Sequence, residues 1–307
     1  MSAPARLVLT LEAPAVRALA SAGALPALRD ALADGALLRI ARADAPGGAP
    51  AAFDLLDDAA LAARTLTPEP LVIASFVASA LPGVGVAADV DVLREHPYNL
   101  ARRIGSLDHL TGGRAGVVVR PLAPGDDAAR AAEALWLVQQ LLQTWPLDSF
   151  APDGSAPAIA DVERIWAPRH EGRYRVAGPL TTPSSPQGLP VFVRAVDGAP
   201  DGETLHDLSI AEPAPADVLP EPPEGVLTAA WRVGDRLAAV ELRPAHSDPL
   251  DALEAWRAAR GVLAERATTT GGPAPTLRAA LGLPARRLER PATAEPAFAD
   301  ATGKDLF

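Results

Sequence analysis

Through its first 145 residues the chain alternates short apolar runs of strand length with longer segments whose apolar residues recur at helical spacing. Few architectures accommodate that alternation. Residues 7–11 read as a strand, and residues 14–33 as a helix that Gly35 stops from the C-terminal side. Residues 37–41 read as a second strand, ending in Arg42-Ala43-Asp44 before a Pro-Gly-Gly loop. A buried helix over 71–81, a Pro-Gly turn and a buried strand over 84–88 come next. Pro97 opens a helix over 98–110, because proline fits the first helical turn. Thr111-Gly112-Gly113 closes it, 115–119 is a further strand, and 128–145 is an amphipathic helix with Leu135, Val138, Leu141 and Leu142 on its apolar face. Strands separated by whole helices cannot pair as hairpins, so the pattern predicts an α/β fold with a parallel sheet.

The second half departs from this rhythm. Residues 146–188 are dominated by loop formers, 191–196 read as a strand, and 208–211 as a weak one. The runs 226–233 and 237–242 flank Gly234-Asp235, a hairpin signal that predicts an antiparallel pair in place of a βα repeat. A helix over 249–266 follows. The chain reads as a single domain over 1–307, with 286–307 as a flexible C-terminal tail.

Composition removes several chemistries. With no cysteine there are no disulfides, thiolate metal sites, iron–sulfur clusters or cysteine nucleophiles. The single lysine, Lys304, leaves almost no place for Schiff-base chemistry. A net charge of -10 argues against an electrostatic grip on nucleic acid or on an anionic membrane. The uncharged stretch 71–88 is long enough to suggest a membrane span, but Ser75, Ser79, Pro82, Gly83 and Gly85 interrupt it. The first 20 residues lack a basic region followed by an apolar run, so a cytoplasmic protein is expected.

Local catalytic motifs are missing. The Gly303-Lys304 pair is followed by Asp305 and is no P-loop. Gly83-x-Gly85 precedes its strand, the reverse of a dinucleotide fingerprint. There is no Gly-x-Ser-x-Gly elbow. The five histidines, His96, His109, His170, His206 and His246, show no metal-ligand spacing, so no metal is expected. Asp44 stands apart. It follows a predicted strand at the end where parallel α/β folds build their sites, although a turn or cap aspartate explains it equally well.

Three blocks carry a resemblance. Glu69-Pro70-Leu71 through Gly85 leads to His96-Pro97-Tyr98-Asn99-Leu100-Ala101-Arg102-Arg103 and then to Ser106-Leu107-Asp108-His109-Leu110-Thr111-Gly112-Gly113-Arg114-Ala115-Gly116. Tyr174-Arg175-Val176-Ala177-Gly178-Pro179-Leu180 precedes Pro186-Gln187-Gly188, and Thr276-Leu277-Arg278 precedes Leu281-Gly282-Leu283-Pro284. In this order the blocks resemble the bacterial luciferase-like flavin-dependent monooxygenases, in particular the branch that oxidises nitrilotriacetate or dibenzothiophene sulfone.

The resemblance implies a TIM (β/α)8-type barrel, shortened and irregular in its second half. It implies FMN, reduced by a separate flavin reductase, reacting with O2 to oxygenate a small-molecule substrate, in a homo- or heterodimer. Asp44 matches a family flavin contact. Other flavin-lining positions differ: Val117-Val118-Val119-Arg120-Pro121-Leu122 stands where the branch has Trp-Asn-Val-Val-Thr-Ser. Ala128 stands near a family tyrosine, Asp197-Gly198-Ala199-Pro200 where a serine helps to hold the phosphate, and Asp89-Val90-Asp91-Val92 where a Thr/Ser-rich turn follows the third strand. The two aspartates are expected to repel a phosphate; Arg120 offers a replacement positive charge, though nothing in the sequence places it. Two further functions stay open on these residues: a flavin-site-degenerate barrel serving as a partner or scaffold subunit, and a deazaflavin-using oxidoreductase.

Overall fold

The computed structural model describes residues 6–43, 68–120, 122, 126–150, 160–195, 205–214, 217, 222–246, 248–264 and 274–297. Eight strands close a barrel: β1 (Arg6–Glu12), β2 (Leu37–Ala41), β3 (Gly85–Val90), β4 (Ala115–Val119), β5 (Val191–Arg194), β6 (Leu208–Ala211), β7 (Val226–Val233) and β8 (Arg236–Pro244), each beside its neighbours in sequence and β8 beside β1. Strands β1 to β6 run parallel, and β8 is parallel to β1. β7 runs against both β6 and β8. The hairpin expected at Gly234-Asp235 is therefore real, and Gly234 takes φ 55°, a left-handed conformation that costs glycine little.

Among the described residues, helices cover part of the barrel. α1 (Ala13–Ser21) and α2 (Leu25–Ala31) follow β1, α3 (Pro70–Ala80) precedes β3, α4 (Pro97–Thr111) joins β3 to β4, and α5 (Ala128–Leu141) follows β4. α6 (Pro249–Ala264) follows β8 and returns to α1 and α2, where the indole N–H of the buried Trp256 donates to the Ala31 carbonyl at 2.9 Å. No α-helix stands among the described residues between β5 and β8. The barrel expected from the sequence is thus present and irregular where the βα rhythm fades. One expectation changes: the single helix over 14–33 is two helices, because Gly23 turns the chain at φ 70° and Pro26 restarts it in the first turn of α2.

The strand pleat separates two cores. Leu7, Leu9, Leu11, Leu38, Ile40, Val86, Val117, Val119 and Phe192 face outward into the helical layer. Val8, Leu37, Ala87, Val118, Val191, Val193, Leu208, Ile210 and Trp231 belong to the inner cluster. Leu277, Leu281 and Leu283, from α7 (Leu277–Ala280) and the turn after it, join that inner cluster. They enter at the N-terminal end of the strands: Leu277 N donates to Gly113 O just before β4, and Leu277 side-chain carbons lie 3.5 and 2.9 Å from where a Cβ would stand on Gly85 and Gly116.

Buried polar groups hold this lower end. Arg278 pairs with Asp207 at 2.8 Å, each about 5% exposed or less, and Arg286 reaches the same carboxylate at 3.1 Å. Asp108 accepts from Ala115 N at 3.0 Å, from Gln187 Nε2 at 2.7 Å and from the Ser185 hydroxyl. Gln187 in turn accepts from Arg278 N. Near the C-terminus, Glu295–Pro296 pairs with Trp166–Ala167. In a barrel of this kind polar networks at the N-terminal face serve stability, which leaves the opposite mouth for function. Among the described residues no helix is long and apolar enough to cross a membrane. The stretch 71–88 resolves into α3, a turn and β3.

Candidate active site at the barrel mouth

Three inward-facing strand positions carry charge: Arg39 in Leu37-Leu38-Arg39-Ile40-Ala41, Asp89 in β3, and Glu241 in Val240-Glu241-Leu242. They meet across the barrel. Arg39 Nε donates to Asp89 Oδ1 at 2.9 Å, and its Nη1 donates to Glu241 Oε1 and Oε2 at 2.9 and 3.1 Å. Glu241 also accepts from Thr10 Oγ1 at 2.8 Å and from the indole of Trp231 at 2.6 Å. The register explains the meeting, since Thr10 lies opposite Arg39 and Val8 opposite Glu241.

Burial alone would lower the Arg39 pKa, but the Asp89 and Glu241 carboxylates bonded to it hold the guanidinium above its ordinary value. Arg39 is therefore permanently charged, and both acids reach a cation through hydrogen bonds of good length. The network closes the barrel interior, so a ligand approaching this end meets a polar floor.

The rim lies above that floor. Asp89 Oδ2 accepts from the backbone N–H of Arg42 at 3.2 Å, and Arg120 Nη1 stands 3.6 Å from the same oxygen. Arg42 Nη1 lies 3.9 Å from Asp91 Oδ2. The pair Arg243–Glu12 at 3.6 Å continues the rim over β8 and β1. The motif alone predicts that Asp89 repels a phosphate, yet Asp89 is buried against Arg39, a partner fifty positions away that the motif does not reveal. Arg120 stands at the mouth, beside Asp89.

A polar and aromatic cluster lies outside the barrel, where α4 and α5 begin. His96 caps α4, with Nδ1 accepting from Tyr98 N at 3.2 Å. Its ring meets Tyr174 edge-on at 5.8 Å, and Arg130 donates to the Tyr174 hydroxyl at 2.9 Å. His170 bonds Glu133 at 2.8 Å and packs on Trp136. Glu133 is pulled below the ordinary carboxylate range: its partial burial opposes this, but the His170 hydrogen bond and charge and the backbone N–H groups of Tyr174 and Arg173 together outweigh it. These contacts fasten the 166–176 segment to α5. His109 bonds the Pro183 carbonyl at 2.9 Å, a structural role. Among the described residues no group of acids and histidines is placed to hold a metal.

Asp44 and the stretch Asp197-Gly198-Ala199-Pro200 lie outside the described residues. Ala128 opens α5 behind the Asp127 cap. The sequence reading missed Arg39 and Glu241, and their signal is a lone charge at an inward position of a buried strand. The donor set tests an anionic cofactor such as FMN. Guanidinium groups, as on Arg42 and Arg120 at the rim, are of the chemistry that suits an oxyanion, and Asp89 and Glu241 beneath them both accept hydrogen bonds from Arg39.

No family model matches the chain. It is similar to N-acetyl-S-(2-succino)cysteine monooxygenase of Bacillus subtilis, 30% identical over 153 residues that cover 45% of this chain and 34% of that protein. Component A of nitrilotriacetate monooxygenase from Aminobacter aminovorans is 32% identical over 151 residues, covering 44% and 33%. The chain thus spans about a third of the length of these two relatives. One of the subunits of pristinamycin IIA synthase from Streptomyces pristinaespiralis is 27% identical over 238 residues, covering 70% of this chain and 84% of that protein. Among solved structures, a riboflavin lyase with modified FMN and riboflavin superposes with a TM-score of 0.54 over 71% of this chain and 56% of that one, at 24% identity, which speaks for the barrel alone. Over part of its length the chain is thus similar to monooxygenases of the bacterial luciferase-like, flavin-dependent kind.

Proposed function

We propose that the chain binds FMN and oxygenates a small organic molecule with O2, taking the flavin already reduced from a separate reductase in the cytoplasm. The observation that carries this reading is the sequence match to two monooxygenases, one of them a component A. The flavin would supply the oxygen chemistry. The protein's share would be to hold the flavin on the polar floor, orient it and keep water out. Asp44, directly after Ala43 at the β2 end of the mouth, is assigned to flavin contact on the resemblance alone. An anaerobic titration with reduced FMN, followed by tryptophan fluorescence, tests the reading, and no binding at tens of micromolar overturns it. Asp44→Asn is expected to weaken flavin binding without lowering the melting temperature.

A second reading, a polypeptide that works only beside another chain, is favoured by one observation: the relative matched over 84% of its length is one subunit of a synthase. On that reading reduced flavin binds a pair of chains and not this chain alone. Either reading gives the protein a partner surface, and α3 offers one. Its eleven residues carry no charge, and Val72 and Phe76 stand 58% and 45% exposed. Beside them, Leu71, Ser75, Asn99, Arg102 and Ser106 line a groove of about 420 Å³ between α3 and α4. We assign this face to a dimer contact.

A further inference from the structure

We propose that β4 to β7 form the apolar wall of a substrate pocket that ends in Leu227, and that its substrate is an uncharged organic molecule such as a thioether, a sulfone or a hydrocarbon. The proposal deepens the monooxygenase reading and rests on it. Strand alternation sorts the lining of the barrel into two halves. Thr10, Arg39, Asp89 and Glu241 take inward positions on β1, β2, β3 and β8, and hydrogen bonds join all four in one network. On the other four strands the inward residues are Val118, Val193, Ile210 and Ala229. The halves are contiguous, since Asp89 lies opposite Val118, Val118 opposite Val193, and Ala229 opposite Glu241. One side of the lumen is thus charged and the other is hydrocarbon.

The hydrocarbon side reaches solvent at β7. That strand runs against both neighbours, so its first residues stand at the mouth. Leu227 lies opposite Arg243 and two positions before Ala229, on the same face as Trp231, whose indole bonds Glu241 inside the barrel. It is 63% exposed, the most exposed large apolar side chain among the described residues. Deeper in, Ala195 and Ala229 are half-buried against the inner cluster, and Val118, Val193 and Ile210 are buried. An inward-facing leucine left this exposed adds little to the barrel's own core, whereas a hydrocarbon laid on it removes both surfaces from water. The rim charges select in the same direction. Arg42, Arg120 and Arg243 each stand beside a carboxylate, that of Asp91, Asp89 and Glu12 respectively. An anionic substrate must displace one of these acids, while an uncharged one lies along β4 to β7 and disturbs none.

The test titrates the intact protein with N-phenyl-1-naphthylamine, an uncharged dye that brightens in apolar surroundings, and then adds dibenzothiophene sulfone or nitrilotriacetate as competitor. Wild type is expected to bind the dye, to release it to the sulfone and to keep it against nitrilotriacetate. Leu227→Glu weakens dye and sulfone at least about 10-fold, and Leu227→Met leaves both within about 2-fold. Melting curves verify that the variants are folded. A protein that binds no dye overturns the pocket, as does dye binding that Leu227→Glu leaves unchanged. Dye that is lost with Phe76→Lys instead sits on α3, which equally overturns it. Release of the dye by nitrilotriacetate overturns the substrate class. Reduced FMN is titrated anaerobically in parallel. If Leu227→Glu weakens reduced FMN as much as the dye, the wall belongs to the flavin ring, and the substrate pocket is overturned while the flavin reading stands. Dye binding that depends on Leu227 in a protein that binds no reduced FMN upholds the apolar pocket and overturns the flavin reading.

Discussion

Asp108 is fully buried, and its carboxylate is served by three neutral donors, Ala115 N, Gln187 Nε2 and the Ser185 hydroxyl. Burial raises its pKa above the ordinary 3.8, outweighing what those donors restore. A raised pKa means that the folded state binds this proton more tightly than the unfolded chain. The contribution to stability is then full below pH 3.8 and is lost as pH rises through the folded value. The amide that Asp108→Asn introduces carries no charge, and its oxygen keeps the Ala115 and Gln187 bonds while Ser185 turns to accept. This substitution is therefore expected to match or exceed the wild type in urea unfolding at neutral pH, with its advantage shrinking as pH falls. Asp108→Ala strands all three donors and should cost about 3 kcal/mol at low pH and less at neutral pH, where the wild type has lost the contribution of the protonated carboxyl. Glu241→Gln tests the mouth in the same way: an amide has one acceptor oxygen for three donors and leaves Arg39 partly uncompensated, so a loss of about 3–5 kcal/mol is expected in the same assay. A charge within an apolar strand is visible in the sequence at both Arg39 and Glu241. Their pairing is not, because 202 residues separate them and only barrel closure brings them together. Asp108 reads as a helix-end residue for the same reason, its partners Ser185 and Gln187 lying almost eighty positions on.

Periodicity and caps make most elements legible. Pro97 opens α4, Gly112 at φ 64° closes it, and β3, β4 and α5 begin within a residue of where apolar patterning places them. Gly23 breaks the expected long helix because a run of alanines continues helical spacing across a turn that only backbone conformation marks. Reversal of β7 is legible from two residues, Gly234-Asp235, since a turn that short cannot house a crossover. Closure itself is not, because it depends on β8 finding β1 from the far end of the chain. Small residues permit the tight approach at the lower end of the barrel. A Cβ on Gly116 would stand 3.0 Å from the Val191 carbonyl oxygen of the paired strand and 2.9 Å from Leu277. The leucine can shift, but the β5 backbone cannot shift without opening the β4–β5 ladder. Gly116→Ala is thus expected to destabilise by about 1–3 kcal/mol, read as a lowered melting temperature. Gly85→Ala, whose closest neighbours are the ends of the Leu37 and Leu277 side chains, should cost less.

At the scale of the whole molecule, the helices among the described residues stand over part of the barrel, and one of them carries a second apolar face. A helix packed on a barrel needs one apolar stripe, yet α3 is apolar or small on its outer side too, with Val72, Ser75, Phe76 and Ser79 facing away from β3. Leu110, 50% exposed in the last turn of α4, adds to that face. Charges of both signs, Arg103 with Glu69 and Glu95, gather at one end of the groove. On the dimer reading proposed above, a second copy of the chain covers this face. A stable pair needs roughly 800 Å² from each partner, more than α3 alone supplies, so α4 must share the contact. Sedimentation at micromolar concentration is expected to show a dimer for the wild type and a monomer for the double substitution Val72→Lys with Phe76→Lys. Because both side chains are exposed in the single chain, the variant should melt no more than a few degrees lower once dissociated. A wild type that sediments as a monomer would leave the face without a like partner and would strengthen the reading in which this barrel works beside a different chain. The same lysine pair should then abolish co-purification with that chain while leaving the mouth, on the far side of β3 from Val72, able to bind whatever it binds alone.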